Sequence, residues 1–252
     1  MLAAAGKQGT IKLLSPVRSA CYVVARGVDR PAHALSFHRS DSTRLLSAHA
    51  DGLVALWNIG DSDAALDVQL LRLFRLSTSA DIMAVCIADV DGILGIAGGA
   101  RGHMWTLDLA DVVPEDELDN PSQEVREELA AAQFLDVGTS VIDCVEAIGD
   151  THFAYKAACD EEIVVRRHNG TGQLGHVAAR LSFPHTNLFF LRFHAHQHVP
   201  ESGSAREPAL VVAAGDHMGR VLLYEVPAAE LAEGSPEKEK QVKKTQPARV
   251  RH

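Results

Sequence analysis

The feature that most constrains the fold is a series of short apolar segments that repeats with a period of about 40 to 50 residues. Each segment is about five to nine residues long, is rich in Val, Ile, Leu and Phe, and is bounded by Gly, Asp, Asn and Ser. This punctuation is typical of β-strands rather than of helices. About seventeen such segments occur in the 252 residues. The sequence therefore predicts an all-β protein built from repeated multistranded units.

The clearest repeat unit is residues 33–59, HALSFHRSDSTRLLSAHADGLVALWNI. It reads as an alternating strand, a polar turn, a strand of small residues, the tight turn HADG, and a strand that ends at Trp57-Asn58. This order is typical of a blade in a WD-repeat β-propeller. We expect Asp51 to accept backbone N–H bonds in its turn, and the Trp57 ring to fill the wedge between neighbouring blades.

Three weaker copies of this unit follow along the chain. Trp105 closes the first copy, Asp160 lies in the turn of the second, and Asp216 lies in the turn of the third. Residues 1–16 read as the last two strands of a preceding blade. The count is four full blades and a half, which is short of a ring that pairs its first and last strands. A start inside a strand pattern favours a fragment of a larger ring.

Two segments lie outside the repeat pattern. Residues 111–129 carry eight acidic side chains against one arginine, so residues 111–130 are predicted to be a solvated insertion with a short helix between two blades. Residues 228–252 are polar, interrupted by proline and mixed in charge, so they are predicted to be a disordered tail. The predicted domain is therefore a partial propeller over residues 1–227.

Charge and cysteine usage exclude several classes of protein. A net charge of −9 argues against direct nucleic-acid binding, which needs a basic face. The four cysteines lie in separate apolar runs without a CxxC pair, so they are predicted to be buried thiols in a reducing compartment. The start of the chain lacks the apolar core of a signal peptide, and no apolar stretch is long enough for a membrane span. We expect an intracellular, soluble protein.

Catalytic and metal-binding patterns are weak. The sequence contains no GxSxG, no GxxxxGK[ST], and no GxGxxG between a strand and a helix. One metal-site hypothesis comes from the run FHAHQH, because His194, His196 and His198 would project to one side of an extended strand and three imidazoles can hold zinc. However, His196 and His198 are expected in the loop before Pro200, which favours surface histidines. We predict no enzyme, no metal site and no cofactor.

Several stretches resemble one WD-repeat family, the Polycomb-group proteins called extra sex combs in flies, EED in mammals and FIE in plants. The most specific stretches are VIDCVEAIGDTHFAYKAACDEEIVV (residues 141–165), RLSFPHTNLFFLRFH (180–194) and ALVVAAGDHMGRVLLYEV (209–226). The resemblance covers the chain to about Val226. Alignment with this seven-bladed family leaves the first and seventh blades unrepresented, so the resemblance implies a truncated or divergent member.

The resemblance implies a nuclear, non-catalytic subunit of Polycomb repressive complex 2, which supports histone lysine methylation and gene silencing. Its implied partners are the SET-domain methyltransferase, other subunits of that complex, and a histone tail whose trimethyl-lysine enters an aromatic cage by cation–π attraction. Phe189 and Phe190 fall on the cage pair, and Arg192 lies nearby. A third cage position falls on Ala25, with Tyr22 three residues away as its substitute. The open alternative is a WD-repeat adaptor of another complex in chromatin, RNA processing or ubiquitin ligation.

Overall fold

The computed structural model describes residues 2–15, 20–24, 28–59, 68–88, 93–110, 127–129, 134–137, 140–169, 173–184, 191–198 and 208–232. The strands in these residues assemble into five sheets, each formed almost entirely by antiparallel neighbours in the chain. We number the sheets as blades one to five in chain order. The prediction of an all-β fold made of propeller blades is confirmed.

The first and fifth blades each contain three strands in the described residues. The first blade consists of β1 (Leu2–Ala5), β2 (Ile11–Ser15) and β3 (Ala20–Val24). The fifth blade consists of β17 (Phe193–His198), β18 (Ala209–Gly215) and β19 (Val221–Pro227).

The three central blades have four consecutive antiparallel strands. The second blade consists of β4 (Ala32–Phe37), β5 (Arg44–His49), β6 (Leu53–Ile59) and β7 (Val68–Arg75). The third blade consists of β8 (Ile82–Ile87), β9 (Leu94–Gly99), β10 (His103–Asp108) and β12 (Phe134–Asp136), with a short 3-10 turn at Ala100–Gly102. The fourth blade consists of β13 (Ile142–Ile148), β14 (His152–Ala157), β15 (Glu162–His168) and β16 (Leu174–Ser182). With the two terminal blades, the strands amount to the predicted four and a half blades.

Large aromatic side chains fill the interfaces between neighbouring blades. Trp57 lies in a buried cluster with Ile11 of the first blade, and Trp105 lies in the cluster that joins the second and third blades. Tyr224 lies in the cluster of the fourth and fifth blades, and its hydroxyl donates to the Ser182 carbonyl oxygen. β6 is covered by neighbouring blades on both faces, so buried residues follow one another along it instead of alternating with exposed ones. The burial of six of the seven residues of β6 shows this.

The innermost strands of blades two to five, β4, β8, β13 and β17, lie side by side. β8 lies between β4 and β13, and β13 contacts β17. Each of these strands ends the hydrogen-bonded order of its own sheet, so no described strand of its own blade lies beyond it. This row therefore forms the wall of the axial opening of the propeller.

The acidic insertion differs from the prediction in its place and in its structure. It leaves from β10 and returns at β12, and both strands belong to the third blade, so it lies within a blade rather than between two blades. Its described residues form β11 (Glu127–Leu129), which pairs in parallel with β7 of the second blade, so these three residues are not part of the predicted short helix. The physical reason is that the outer edge of β7 offers unpaired backbone groups that a short strand can satisfy. Residues 111–126 lie outside the described residues.

The predicted tail also begins later than the sequence suggested. Residues 228–232 form the helix α1 (Ala228–Ala232), and Leu231 is buried in the cluster between the fourth and fifth blades. Four of the five residues of α1 are apolar, and burial of Leu231 holds the helix against the two blades. Residues 233–252 lie outside the described residues. Within the described part of the chain, no helix is both long and apolar enough to cross a bilayer.

Candidate protein-interaction cleft

The row of innermost strands borders a cleft of about 410 Å³. This volume is within the range of about 300–1,000 Å³ that is usual for ligand pockets. Its lining comes from all four of these strands and the residues next to them, namely residues 34–37 and 39, 85–87, 145–147, 192 and 194–196. The cleft is therefore formed by residues of blades two to five together, and it depends on the stacking of these blades.

One carboxylate occurs among the described residues that line the cleft, and that carboxylate is already engaged. Glu146 Oε2 on β13 accepts a hydrogen bond from the Ala195 amide of β17 at 2.8 Å and lies 3.2 Å from His194 Nδ1. Arg39 and Arg192 are exposed in the same cleft, and neither guanidinium has a hydrogen-bond or ion-pair partner among the described residues. The polar lining therefore has an excess of positive charge and of hydrogen-bond donors.

The thiols near the cleft are buried and unreactive. Burial raises the pKa of Cys86, which lines the cleft, far above its usual value, and burial also raises the pKa of Cys144 to about 11. A thiol that stays protonated is a poor nucleophile, so neither residue resembles a catalytic cysteine. The prediction that all four cysteines are buried is wrong for Cys21 and Cys159, which are exposed free thiols. Cys21 belongs to β3 and Cys159 to the turn between β14 and β15, and neither is a member of an inter-blade cluster.

The predicted methyl-lysine residues are distributed unevenly over the structure. Arg192 lines the cleft, whereas Phe189 and Phe190 lie outside the described residues. Tyr22 belongs to β3, the outer edge strand of the first blade, where its backbone lies opposite Leu13. β3 is not one of the four inner strands that border the cleft. Phe37 is the single aromatic side chain among the described lining residues.

The turn aspartates hold their turns in different ways. Asp216 Oδ1 accepts the amide protons of Met218 and Arg220 at 2.9 Å each, and its Oδ2 accepts Arg220 Nε at 2.6 Å. Burial alone raises the pKa of Asp216, but these hydrogen bonds from Arg220 and Met218 outweigh it and hold the pKa below its usual range. Asp160 lies in the turn between β14 and β15, where its amide donates to the Ala157 carbonyl oxygen.

Asp51 departs from the expected role. Its carboxylate accepts Arg30 Nε at 2.8 Å instead of backbone N–H groups. Its backbone has a φ of 58°, which is left-handed, and the following Gly52 has a φ of 73°. Two consecutive left-handed residues form the hairpin turn between β5 and β6, and this geometry turns the Asp51 side chain toward the segment before β4.

A chain of hydrogen bonds joins Trp57 to the connection between the first two blades. Trp57 Nε1 donates to Ser47 Oγ at 2.7 Å, and Ser47 Oγ lies 2.7 Å from His49 Nε2. His49 Nδ1 lies 3.2 Å from the Arg30 carbonyl oxygen, which can only accept. The network therefore assigns the proton to Nδ1, and the Ser47 hydroxyl donates to Nε2. His49 is buried and neutral in this arrangement.

The free energy of unfolding is expected to fall as the pH falls below 6.5, partly because of His49. Burial lowers the pKa of His49 below its usual value of 6.5, although the hydrogen bond to the Arg30 carbonyl raises it. Since the folded-state pKa is below the unfolded-state value, the unfolded chain binds more protons between the two values, and stability is fully present only above 6.5. Urea unfolding at a series of pH values measures this dependence of the free energy of unfolding on pH.

The variant His49→Gln is the control for this dependence, because it removes the titrating group. It should lose less stability than the wild-type protein on going from pH 7.5 to pH 5.5. His152, whose pKa burial also lowers, is present in both proteins and cancels in the comparison. Identical pH profiles for the two proteins would contradict the assignment to His49.

The histidine run lies in a strand rather than in a loop. His194, His196 and His198 all belong to β17, so the expected loop position of His196 and His198 is wrong. Phe193 and Ala195 are buried in the cluster with the fourth blade, and this burial extends the strand through the histidines. Among the described residues, no group of three His, Cys, Asp or Glu side chains has the arrangement of a metal site.

Sequence reasoning missed the residues that define the cleft and its support. Arg39 and Glu146 carry no motif, and only the three-dimensional row of inner strands brings them together. Lys156 and Asp143 form an ion pair of 2.8 Å that is fully buried in the fourth blade. One signal was available, because Lys156 interrupts the apolar segment FAYKAA and Asp143 interrupts VIDCV. A charged residue at the centre of each of two adjacent apolar segments is consistent with a buried pair.

Comparisons with known proteins identify the fold more securely than the family. No protein-family profile matches the chain. It is similar to human "Leucine-rich repeat and WD repeat-containing protein 1", with 24% identity over 236 residues, covering 90% of this chain and 34% of that protein. The chain therefore spans about a third of this curated relative, whose name includes WD repeats.

Solved structures match over most of this chain. A humanized Polycomb Repressive Complex 2 from Chaetomium thermophilum has a chain with a TM-score of 0.69 and 14% identity, covering 88% of this chain and 52% of that one. A chain of a Mitotic Checkpoint Complex has a TM-score of 0.60 and 10% identity, covering 97% of this chain and 60% of that one. At these identities the similarity shows the fold, which is a WD-repeat-like propeller.

Proposed function

We propose that this chain is a non-catalytic scaffold subunit of a nuclear complex of the Polycomb repressive complex 2 type. In this role it binds a SET-domain methyltransferase and so supports histone lysine methylation and gene silencing. The observation that carries the proposal is the propeller itself, which matches chains in structures of Polycomb Repressive Complex 2 over 88% of its length. The stretches at residues 141–165, 180–194 and 209–226 support it independently.

The described structure supports a scaffold in three ways. Inter-blade clusters of fully buried aromatic and aliphatic residues connect neighbouring blades, so the blades present a defined surface. The cleft of the inner strands has two exposed arginines, Arg39 and Arg192, that form no hydrogen bond or ion pair with another described residue. The buried thiols stay protonated, and their chemistry is that of packing rather than of catalysis.

A second candidate is a WD-repeat adaptor of a different complex. The similarity to a human leucine-rich repeat and WD-repeat protein, and to a chain of a Mitotic Checkpoint Complex, favours this candidate. The two candidates share the scaffold role and differ in the partner. Partner identity is therefore the property to measure.

Affinity purification of the tagged full chain from its own cells is expected to recover a SET-domain methyltransferase and a zinc-finger Polycomb subunit. Recovery with the tag alone sets the background. Recovery of a cullin adaptor or of RNA-processing factors, without these two proteins, would replace the Polycomb proposal by the adaptor candidate.

The methyl-lysine contact of Phe189, Phe190, Arg192 and Tyr22 stays a prediction within this proposal. A titration with trimethylated and unmodified histone-tail peptides tests it, because a cation–π cage worth about 0.5–1 kcal/mol gives a preference of about two- to fivefold for the trimethylated peptide. Equal affinities would remove the methyl-lysine contact and leave the scaffold role.

A further inference from the structure

The cleft of the inner strands carries positive charge on two opposite walls. Arg39 follows β4 of the second blade, and Arg192 precedes β17 of the fifth blade. β8 and β13 lie between these two walls and supply the floor. The two guanidinium groups therefore border one continuous opening, although 153 residues separate them in the chain.

Neither arginine is neutralised within the described part of the protein. Both side chains are exposed, and neither forms a hydrogen bond or an ion pair with a described residue. The one carboxylate of the lining, Glu146, is held by the Ala195 amide and by His194 Nδ1. His196 adds a further imidazole on the exposed side of β17. Among the described lining residues, the two arginines therefore outnumber the single carboxylate.

This local charge is opposite to the charge of the whole chain, which is −9. An isolated basic region on an acidic protein concentrates attraction for anions at one place, and low-dielectric walls strengthen this effect. The floor is apolar, with Val85, Ile87 and Val145 at the bases of the inner strands. The cleft therefore offers charged sites at its walls and apolar contact at its floor.

We infer that the cleft of the inner strands binds an acidic, extended peptide segment of a partner protein. Arginine binds carboxylates through two parallel N–H···O bonds, so Arg39 and Arg192 would each bind one acidic side chain, while small apolar side chains contact the floor. The inference rests on the proposed scaffold function only in taking the ligand from a partner protein. It does not depend on that partner being a methyltransferase.

Fluorescence anisotropy of the full chain with labelled octaglutamate, octalysine and a neutral Gly-Ser octapeptide tests the inference at low salt. We expect saturable binding of octaglutamate alone, with affinity that falls as the salt concentration rises. The double variant Arg39→Gln/Arg192→Gln should weaken this binding at least tenfold. The matched control is Arg167→Gln, which removes an exposed arginine of β15 that does not line the cleft, and it should leave the affinity unchanged within twofold.

Three results would overturn the inference. Binding of octalysine as tight as that of octaglutamate would remove the charge preference, and equal losses in the double variant and in Arg167→Gln would remove the assignment to the cleft. Binding of a free peptide of residues 111–120, without binding of octaglutamate, would assign the cleft to the chain's own acidic insertion. The anisotropy assay contains only the purified chain and synthetic peptides. Its result therefore does not depend on whether the affinity purification recovers Polycomb subunits.

Discussion

Replacing Asp143 by alanine is expected to lower the free energy of unfolding by about 3–5 kcal/mol, because it leaves the Lys156 ammonium buried without its counter-ion. Lys156 Nζ lies 2.8 Å from Asp143 Oδ1, and the two side chains are 0% and 1% exposed. Asp143 lies at a register shift between β13 and β14, which places its carboxylate beside the lysine of the neighbouring strand. Lys156→Met, which leaves the Asp143 carboxylate buried without a counter-ion, should lower the free energy of unfolding by a similar amount. Urea unfolding followed by circular dichroism measures both.

The combined variant Asp143→Leu/Lys156→Met distinguishes a buried charge from a general loss of packing. Removing both charges together should recover most of the lost stability, since a buried pair replaced by apolar groups is often neutral or stabilising. The matched control is Glu162→Gln in the exposed pair with Arg180, which should cost less than about 1 kcal/mol. A combined variant as unstable as the sum of the two single variants would contradict the ion-pair explanation.

Replacing Trp57 by alanine is expected to lower the free energy of unfolding by about 3–5 kcal/mol, because it removes the wedge between the first and second blades. The side chain is 1% exposed and shares a buried cluster with Ile11 and Leu13 of β2. Trp57→Phe should cost less, about 1–3 kcal/mol, because it keeps a ring in the wedge but withdraws the donor from Ser47 Oγ. The difference between the two variants measures the packing of a six-membered ring in the wedge.

The same variants show whether the loss is local or global. The chain has two tryptophans, so Trp57→Ala leaves Trp105 as the single tryptophan reporter, at the interface of the second and third blades. We expect its fluorescence transition to coincide with the circular dichroism transition if the blades unfold cooperatively. Met218→Ala, which shortens a side chain that is 65% exposed, is the control and should stay within about 0.5 kcal/mol of the wild-type protein. A cost for Trp57→Ala below about 1 kcal/mol would contradict the wedge.

The blade pattern was predictable because it depends on local rules. Each 40-residue unit contains its own strand lengths and turn residues. The strand–turn–strand order around HADG and the burial of Trp57 and Trp105 therefore followed from the sequence. The place of the acidic insertion, which differs from the prediction, depends on a pairing between distant segments. The acidic insertion pairs through β11 with β7, about 50 residues earlier in the chain, and no local pattern in residues 127–129 specifies that neighbour.

The candidate site was less predictable than the fold for the same reason. Arg192 was singled out through a resemblance, but its association with Arg39 and Glu146 depends on the side-by-side row of β4, β8, β13 and β17. Polar residues in a cleft need no periodicity, so they leave no repeated signal along the chain. The histidine run illustrates the opposite case, because its alternation was visible while its place in β17 was not.

The sequence by itself determined the class of the fold, the blade repeat and the residues that fill the interfaces between blades, because hydrophobic alternation and turn chemistry act within a few residues of one another. Only the tertiary structure decided which strand edge receives the insertion, which charged residues are buried as a pair, and which ones remain exposed around the cleft. Those outcomes depend on the free energy of contacts between segments that are distant in the chain. Such contacts exist only after the blades have stacked.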